Sequence, residues 1–211
     1  ASVTTLYYYK DWQVLAEIAD DGQDETSYDY VYGNYLDEVL LRTEDETTDV
    51  YLVHDHLYSP VALLNDTGTV QERYEYDAYG KRSIYDASFT SRTSSNYDLT
   101  IGFTGQRLDL LDNGDRPLGY YKNRYYDFET GRFLSRDPIG FVDGINLYLY
   151  VNNAPIFSLD TMGLINCMAA YVDCAKFPNH ECCSGSYYPQ GGPYPGWPQP
   201  KDISDYQNQN K

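Results

Sequence analysis

Positive charge is scarce in this chain. Its 211 residues carry 15 Lys and Arg against 32 Asp and Glu, a formal net charge of −17. Nucleic-acid binding needs Lys and Arg to neutralise phosphate, so this balance argues against it. It argues equally against an anionic membrane surface. No apolar run approaches the roughly 18 residues of a membrane-spanning helix. Cysteine is absent before Cys167, and no Cys-x-x-Cys metal pattern occurs anywhere. No secretory leader is visible at Ala1; the chain opens inside repeat-like sequence, as a piece of a longer protein would.

The acidity is concentrated upstream. After Leu164, Asp173, Glu181, Asp202 and Asp205 stand against Lys176, Lys201 and Lys211. Solubility through self-repulsion explains the excess. Two acidic turns, Asp20-Asp21-Gly22-Gln23-Asp24-Glu25 and Asp112-Asn113-Gly114-Asp115, invite a calcium reading, but neither has the full ligand spacing. No metal ligand set or cofactor is assigned.

Tyrosine is abundant: 25, beside 7 Phe and 2 Trp. An apolar ring with a polar tip suits half-buried strand faces, so the composition predicts a mainly β protein. Strands are predicted around Tyr7-Tyr8-Tyr9, Tyr28 to Tyr32, Leu36 to Arg42, Val50 to Val53, Val61 to Leu64 and Val70 to Tyr76. Val14 to Ile18 reads as strand or one helical turn. Asn65-Asp66-Thr67-Gly68 predicts a hairpin between two of these strands; it is also a glycosylation sequon, which the turn explains without sugar. Ser83 to Asn96 reads as loop. Leu99 to Thr104, Gly119 to Tyr126 and Arg132 to Leu134 read as further strands, and Asn146 to Val151 as short helix or strand. Tyr-Asp pairs recur irregularly at Tyr28-Asp29, Tyr76-Asp77, Tyr85-Asp86, Tyr97-Asp98 and Tyr126-Asp127. The pairing predicts strand ends, where Tyr packs on the sheet and Asp takes backbone N–H groups in the turn.

The composition changes after Leu164. Cys167, Cys174, Cys182 and Cys183 are followed by the Pro/Gly/Tyr-rich run Tyr187 to Pro200. Such a run favours extended, polyproline-like chain. So short a segment needs staples, and two disulfides among the four cysteines would supply them in an oxidising compartment. A bond between adjacent Cys182 and Cys183 would be strained; zinc with His180, or free thiols, are the rivals.

Between these regions, Gly131 to Leu164 reads GRFLSRDPIGFVDGINLYLYVNNAPIFSLDTMGL. Together with Tyr125-Tyr126-Asp127, the block Asn146 to Pro155, the turn Asp160-Thr161-Met162-Gly163-Leu164 and an upstream block His54 to Pro60, it resembles the RHS/YD-repeat family at its C-terminal repeat-associated core domain. The resemblance covers about residues 7–164. It implies an antiparallel strip of hairpins, part of a spiralling β-shell or a stacked assembly. It divides the chain into a repeat strip (1–124), a plug or autoprotease segment (125–164) and a variable tail (165–211). Two positions depart from the family pattern: Thr161 stands where Pro is usual, and Tyr58 where Gly is usual. His54 and His56 match the upstream block and read as structural.

In toxin-bearing members of such a family the core segment cuts its own chain. Carried over, Asp137 and Asp160 would be the two carboxylates, Arg136 a neighbour that orients or pairs with them, and Leu164–Ile165 the scissile bond. Two close carboxylates cannot both ionise easily, so one holds a proton while the other acts as base; tethering makes the substrate local. As ordinary residues, Asp before Pro and Asp three before Gly simply form turns.

Two functions follow as expectations. One is an extracellular structural or interaction module, secreted or on a cell surface, joined through its sheet edges to upstream repeats or to identical copies, as open edges invite. The other is the autoproteolytic plug of a toxin shell, which cleaves after Leu164 and encloses or releases the tail as effector. Neither expectation identifies the tail's target.

Overall fold

The computed structural model describes residues 4–20, 22–111, 116–142, 144–164 and 167–168. Nine strands, β1 (Thr4–Lys10), β2 (Gln13–Asp20), β3 (Glu25–Tyr32), β4 (Val39–Glu44), β5 (Thr48–His54), β6 (Pro60–Leu64), β7 (Val70–Tyr76), β8 (Arg82–Asp86) and β9 (Ser91–Arg92), pair in chain order as one antiparallel meander. A second sheet joins β10 (Arg107–Leu111), β11 (Arg116–Tyr120), β12 (Tyr125–Asp127) and β13 (Arg132–Phe133), also in order. Two residues of β14 (Ser158–Leu159) pair with two of β15 (Cys167–Met168). The fold is the expected antiparallel, open-sheet type. The second sheet spans positions 124 and 125, and the break between the two large sheets falls between Arg92 and Arg107.

One turn design ends strand after strand. Asp55 Oδ1 accepts the N–H groups of Leu57 (2.8 Å) and Ser59 (2.9 Å). Asn65 does the same for Thr67 and Thr69, Asp77 for Tyr79 and Lys81, and Asp86 for Ser88 and Thr90. In each, the residue three positions on has positive φ: Tyr58 (64°), Gly68 (76°), Gly80 (90°) and Phe89 (63°). A short side-chain acceptor that satisfies two turn amides explains why Asp or Asn closes these strands. It explains Tyr58 too: this position asks for Gly, and the tyrosine is held there by stacking on Tyr35, ring centroids 4.1 Å apart and 15° from parallel.

The core is tyrosine itself. Tyr30, Tyr35, Tyr74, Tyr121, Tyr126 and Tyr150 are all buried, deeper than the half-buried faces the composition predicted. Burial is possible because each hydroxyl finds a partner. Tyr30 donates to Glu17, Tyr74 to Glu72 and Tyr126 to the Tyr79 carbonyl; Tyr35 pairs with Thr161, and Tyr121 with Tyr150 and Thr104. One cluster lies on the meander, where Leu99 and Ile101 cover Val39, Leu52, Leu63, Tyr74 and Ile84. The other gathers Tyr35 and Leu57 with Phe103, Tyr121, Tyr126, Phe133, Tyr150 and Leu159.

Several local expectations are corrected. Ser83 to Asn96 contains β8 and β9; Ile84 alone is buried there, too weak an apolar signal among polar neighbours. Leu99 to Thr104 is a bridge at Ile101 and a 3-10 turn at Phe103–Gly105, with Thr104 at positive φ. Gly119 to Tyr126 is two strands and a turn, and β10 was not foreseen. Asn146 to Tyr150 is turn with one bridge, Arg132 to Leu149, and Val151 opens a 3-10 turn (Val151–Asn153). Asp29 lies inside β3, opposite Thr43 and Ala16, not in a turn. Of the cysteines, Cys167 is described by its backbone alone; Cys174, Cys182, Cys183 and the Pro-rich run lie outside the described residues, as does Ile165.

Candidate functional site

Asp137 opens the turn after β13. Its Oδ1 accepts the Ile139 N–H at 2.9 Å, and its carbonyl accepts the Gly140 N–H at 3.1 Å, with Gly140 at φ 73°. Its own N–H is tied to the Leu147 carbonyl, so the turn is docked against the segment before Tyr150. Asp160 opens the turn after β14. Its Oδ1 accepts the Leu164 N–H at 2.9 Å, across Gly163 at φ 68°. Both are versions of the strand-ending turn, so the local sequence suffices to form them.

What brings the two turns together is Arg124, in the tight turn between β11 and β12. Its Nη2 lies 3.1 Å from Asp137 Oδ2 and 3.2 Å from Asp160 Oδ2. The two carboxylates therefore lie no further apart than those two contacts end to end. Nε of the same guanidinium donates to the Gly163 carbonyl, and Nη1 to that of Leu147 at 3.3 Å. Its face sits 3.6 Å from the Phe133 ring centre. Asn123, one residue back, donates from its side chain to the Met162 carbonyl at 2.9 Å. The β11–β12 turn thus grips the backbone on both sides of Gly163.

The cluster is buried. Asp160 and Arg124 are each 3% exposed, Asp137 9%, and the Leu164 residue 6%. One guanidinium faces two carboxylates, so a single bound proton makes the three-group cluster neutral. A charge this deep is tolerated only when paired and hydrogen-bonded, and all three groups are. Tyr150 lies beside them; burial pushes its phenol well above the ordinary range, with the Tyr121 hydroxyl countering and the charge of Asp160 adding.

The expected residues fare differently. Asp137 and Asp160 are brought together, and Leu164 is held on Asp160. Arg136 is exposed and makes no ion pair among the described residues. Arg124 takes the place foreseen for it, and no local pattern announces it: it is 36 positions from Asp160. The Thr161 hydroxyl meets that of Tyr35 at 2.6 Å, a tertiary contact that proline could not make. His56 reaches the Ile156 carbonyl at 3.0 Å, a structural contact. Among the described residues no three His, Cys, Asp or Glu side chains are grouped as a metal site.

A cavity of about 650 Å³ lies elsewhere, lined by Tyr7, Tyr9, Trp12, Tyr32, Arg107 and Lys122 among others. None of the three clustered groups lines it.

The open antiparallel fold is shared with toxin assemblies. The chain superposes on a Photorhabdus luminescens Tc holotoxin pore with TM-score 0.58 at 22% identity, covering 76% of this chain and 9% of that one. A TcdB2-TccC3 structure without its hypervariable C-terminal region gives 0.50 at 24%, with the same coverage. In sequence, the toxin subunit YenC1 of Yersinia entomophaga is 33% identical over 123 residues, 58% of this chain and 12% of that protein. The uncharacterised protein YibJ of Escherichia coli is 31% identical over 118 residues, 56% of this chain and 46% of its own length. The tRNA nuclease WapA of Bacillus subtilis is 28% identical over 164 residues, 75% of this chain and 6% of the nuclease. The chain spans less than half the length of each of these relatives. No family model matches the sequence. The chain is therefore similar to Tc toxin subunits and to toxins of the RHS type, in keeping with the resemblance read from its motifs.

Proposed function

We propose that this chain is the closing end of an RHS-type toxin shell and that it cuts its own backbone between Leu164 and Ile165. One observation carries the reading: Asp137 and Asp160 meet at a single buried cation, and Asp160 holds the amide of Leu164. In the reaction a water attacks the Leu164 carbonyl carbon. The ionised carboxylate takes the water's proton; the protonated one passes its own to the departing Ile165 nitrogen. The products are a carboxyl terminus at Leu164 and an amino terminus at Ile165. The substrate is already in place, so orientation replaces binding affinity. The similarity to toxin subunits supports the toxin context.

The edges of the meander favour a structural role beside this one. β1 pairs only with β2, and its outer edge, with Leu6 and Tyr8 at least half exposed, is open among the described residues. Upstream repeats or another copy would extend the sheet there. A secreted or surface location follows from the toxin reading. Direct sequencing of the purified protein tests cleavage: a second amino terminus starting Ile165-Asn166 supports it, and Ala1 alone contradicts it.

A further inference from the structure

The cavity away from the carboxylate cluster is aromatic. Its walls include Tyr7, Tyr9, Trp12, Tyr32 and Tyr120, gathered where the β1–β3 end of the meander meets β10 and β11. The Tyr7 and Tyr9 rings stand 6.2 Å apart, tilted by 56°, and remain 38% and 44% exposed. Large exposed rings side by side mark a contact surface. The polar groups of the cavity are committed to one another. Arg107 lies 4.1 Å over the Tyr7 ring centre and pairs with Glu17. Lys122 pairs with Asp37 at 2.6 Å, and Gln106 bonds to both. Each of these cations already has its carboxylate, which disfavours an anionic ligand. A volume of about 650 Å³ accommodates a few residues of extended chain.

The sequence holds a segment of matching chemistry. Residues 187–200 contain five prolines, four aromatic side chains and no charged residue. Proline-rich chain is pre-set as polyproline II with three residues per turn, so Pro195 and Pro198 fall on one face. Grooves walled by aromatic rings bind such chain, because flat rings pack on proline rings and little conformational entropy is lost. The reach suffices. From Met168, the last residue of β15, to Tyr187 the chain extends up to roughly 60 Å. Nine paired strands measure about 40 Å across. A tether of this kind supplies an effective concentration of about millimolar, so a weak contact is enough.

We propose that the aromatic cavity is the docking site of this chain's own residues 187–200, with the proline face packed on Tyr7, Tyr9 and Trp12. The proposal does not depend on self-cleavage: the contact holds the tail to the strip whether or not the bond after Leu164 is cut.

The chain has two tryptophans, one on each side of the contact, Trp12 and Trp197. In the full chain, Trp12→Phe leaves Trp197 as the reporter, and Trp197→Phe leaves Trp12. To the first is added Tyr9→Ser, and to the second Pro195→Ser together with Pro198→Ser. Near-ultraviolet circular dichroism and urea midpoints show which proteins are folded, and all are kept reduced. Trp197 is expected to emit at shorter wavelength than in urea and to be quenched several-fold less by acrylamide. Tyr9→Ser should return its quenching to the urea value, and the proline changes should raise the quenching of Trp12. These results should not change on dilution. A Trp197 as quenchable in the folded chain as in urea overturns the proposal. Protection that fades on dilution also overturns it and assigns the cavity to a second copy. Protection that Tyr9→Ser leaves intact in a folded chain overturns it by placing the segment elsewhere.

Discussion

Asp160 divides its carboxylate between Leu164 and the cluster. Oδ1 accepts the Leu164 N–H at 2.9 Å, while Oδ2 faces Arg124 at 3.2 Å. A turn-forming hydrogen bond thus places the residue before the proposed scissile bond against a carboxylate, which in the proposed cleavage would be structural and chemical at once. Separating those roles needs substitutions that keep one and remove the other.

Gly163 is such a position. It sits at φ 68°, and a β-carbon there would lie 2.7 Å from the Tyr121 carbonyl oxygen. Gly163→Ala should destabilise the fold by ~2 kcal/mol, the usual cost of a strained backbone position, and move the turn off Arg124. Urea unfolding and the cleavage time course check this. Unchanged values of both would show that the turn has room to adjust.

Cleavage should not by itself free the tail. β14 and β15 lie on opposite sides of the proposed cut, with Leu159 paired to Cys167 and Ser158 to Met168. The two fragments should co-elute in gel filtration under native conditions and separate in denaturant. Separation under native conditions would show that this short ladder does not retain the tail.

Glu72 anchors the far end of the meander. Wholly buried, it accepts from the hydroxyls of Tyr74 and Ser95 at 2.5 Å each, the Asn96 N–H at 3.0 Å and Arg92 at 3.1 Å. Glu72→Gln removes the charge that Arg92 meets and forces the Tyr74 and Ser95 hydroxyls to accept from an amide where they now donate to a carboxylate. A loss of ~3 kcal/mol is expected in urea unfolding, in the range for breaking a buried pair, with cleavage chemistry at the distant cluster retained by the folded fraction.

Two shifted groups, His54 and Asp127, contribute to the acid response with separable pH windows. Burial lowers the affinity of His54 for a proton, partly offset by Glu38 and Asp55. The unfolded chain then binds the proton more readily, so this contribution is complete above about pH 6.5 and is lost as pH falls through that value. Asp127 is opposed by burial, but the Glu129 N–H, the Thr130 hydroxyl and Arg116 outweigh it and hold its carboxyl below the usual range. Its contribution is present above about pH 3.9 and lost as pH falls further. Urea midpoints should drop between pH 7 and 5, and His54→Leu should flatten that drop while leaving the one below pH 4. Equal slopes between pH 7 and 5 in both proteins would remove His54 from this response.

Much of this was legible in the sequence. Tyr-rich runs punctuated by Asp, Asn and Gly carry the hairpin strip, because strand-ending turns are local and their acceptors sit at fixed offsets. Asp137 and Asp160 were legible as turn formers for the same reason, and as a pair only through the family resemblance. Ser83 to Asn96 was not: its strands are set by pairing with β7 and by the burial of Ile84 alone. Arg124 was not legible either. Its partners include Asp137, Asp160, Leu147 and Gly163, and only the packing of the second sheet against residues 137–164 brings them to one guanidinium. Arg136, the arginine nearest Asp137 in sequence, is exposed and makes no ion pair among the described residues.

The central claim is that two buried carboxylates cut this chain. Its most direct test is intact mass under denaturing, reducing conditions, for the wild-type chain beside Asp137→Asn and Asp160→Asn. Two fragments dividing between Leu164 and Ile165 in the wild type, and one uncut chain in each variant, are the expected result. An uncut wild-type chain, or variants that divide as the wild type does, would contradict it.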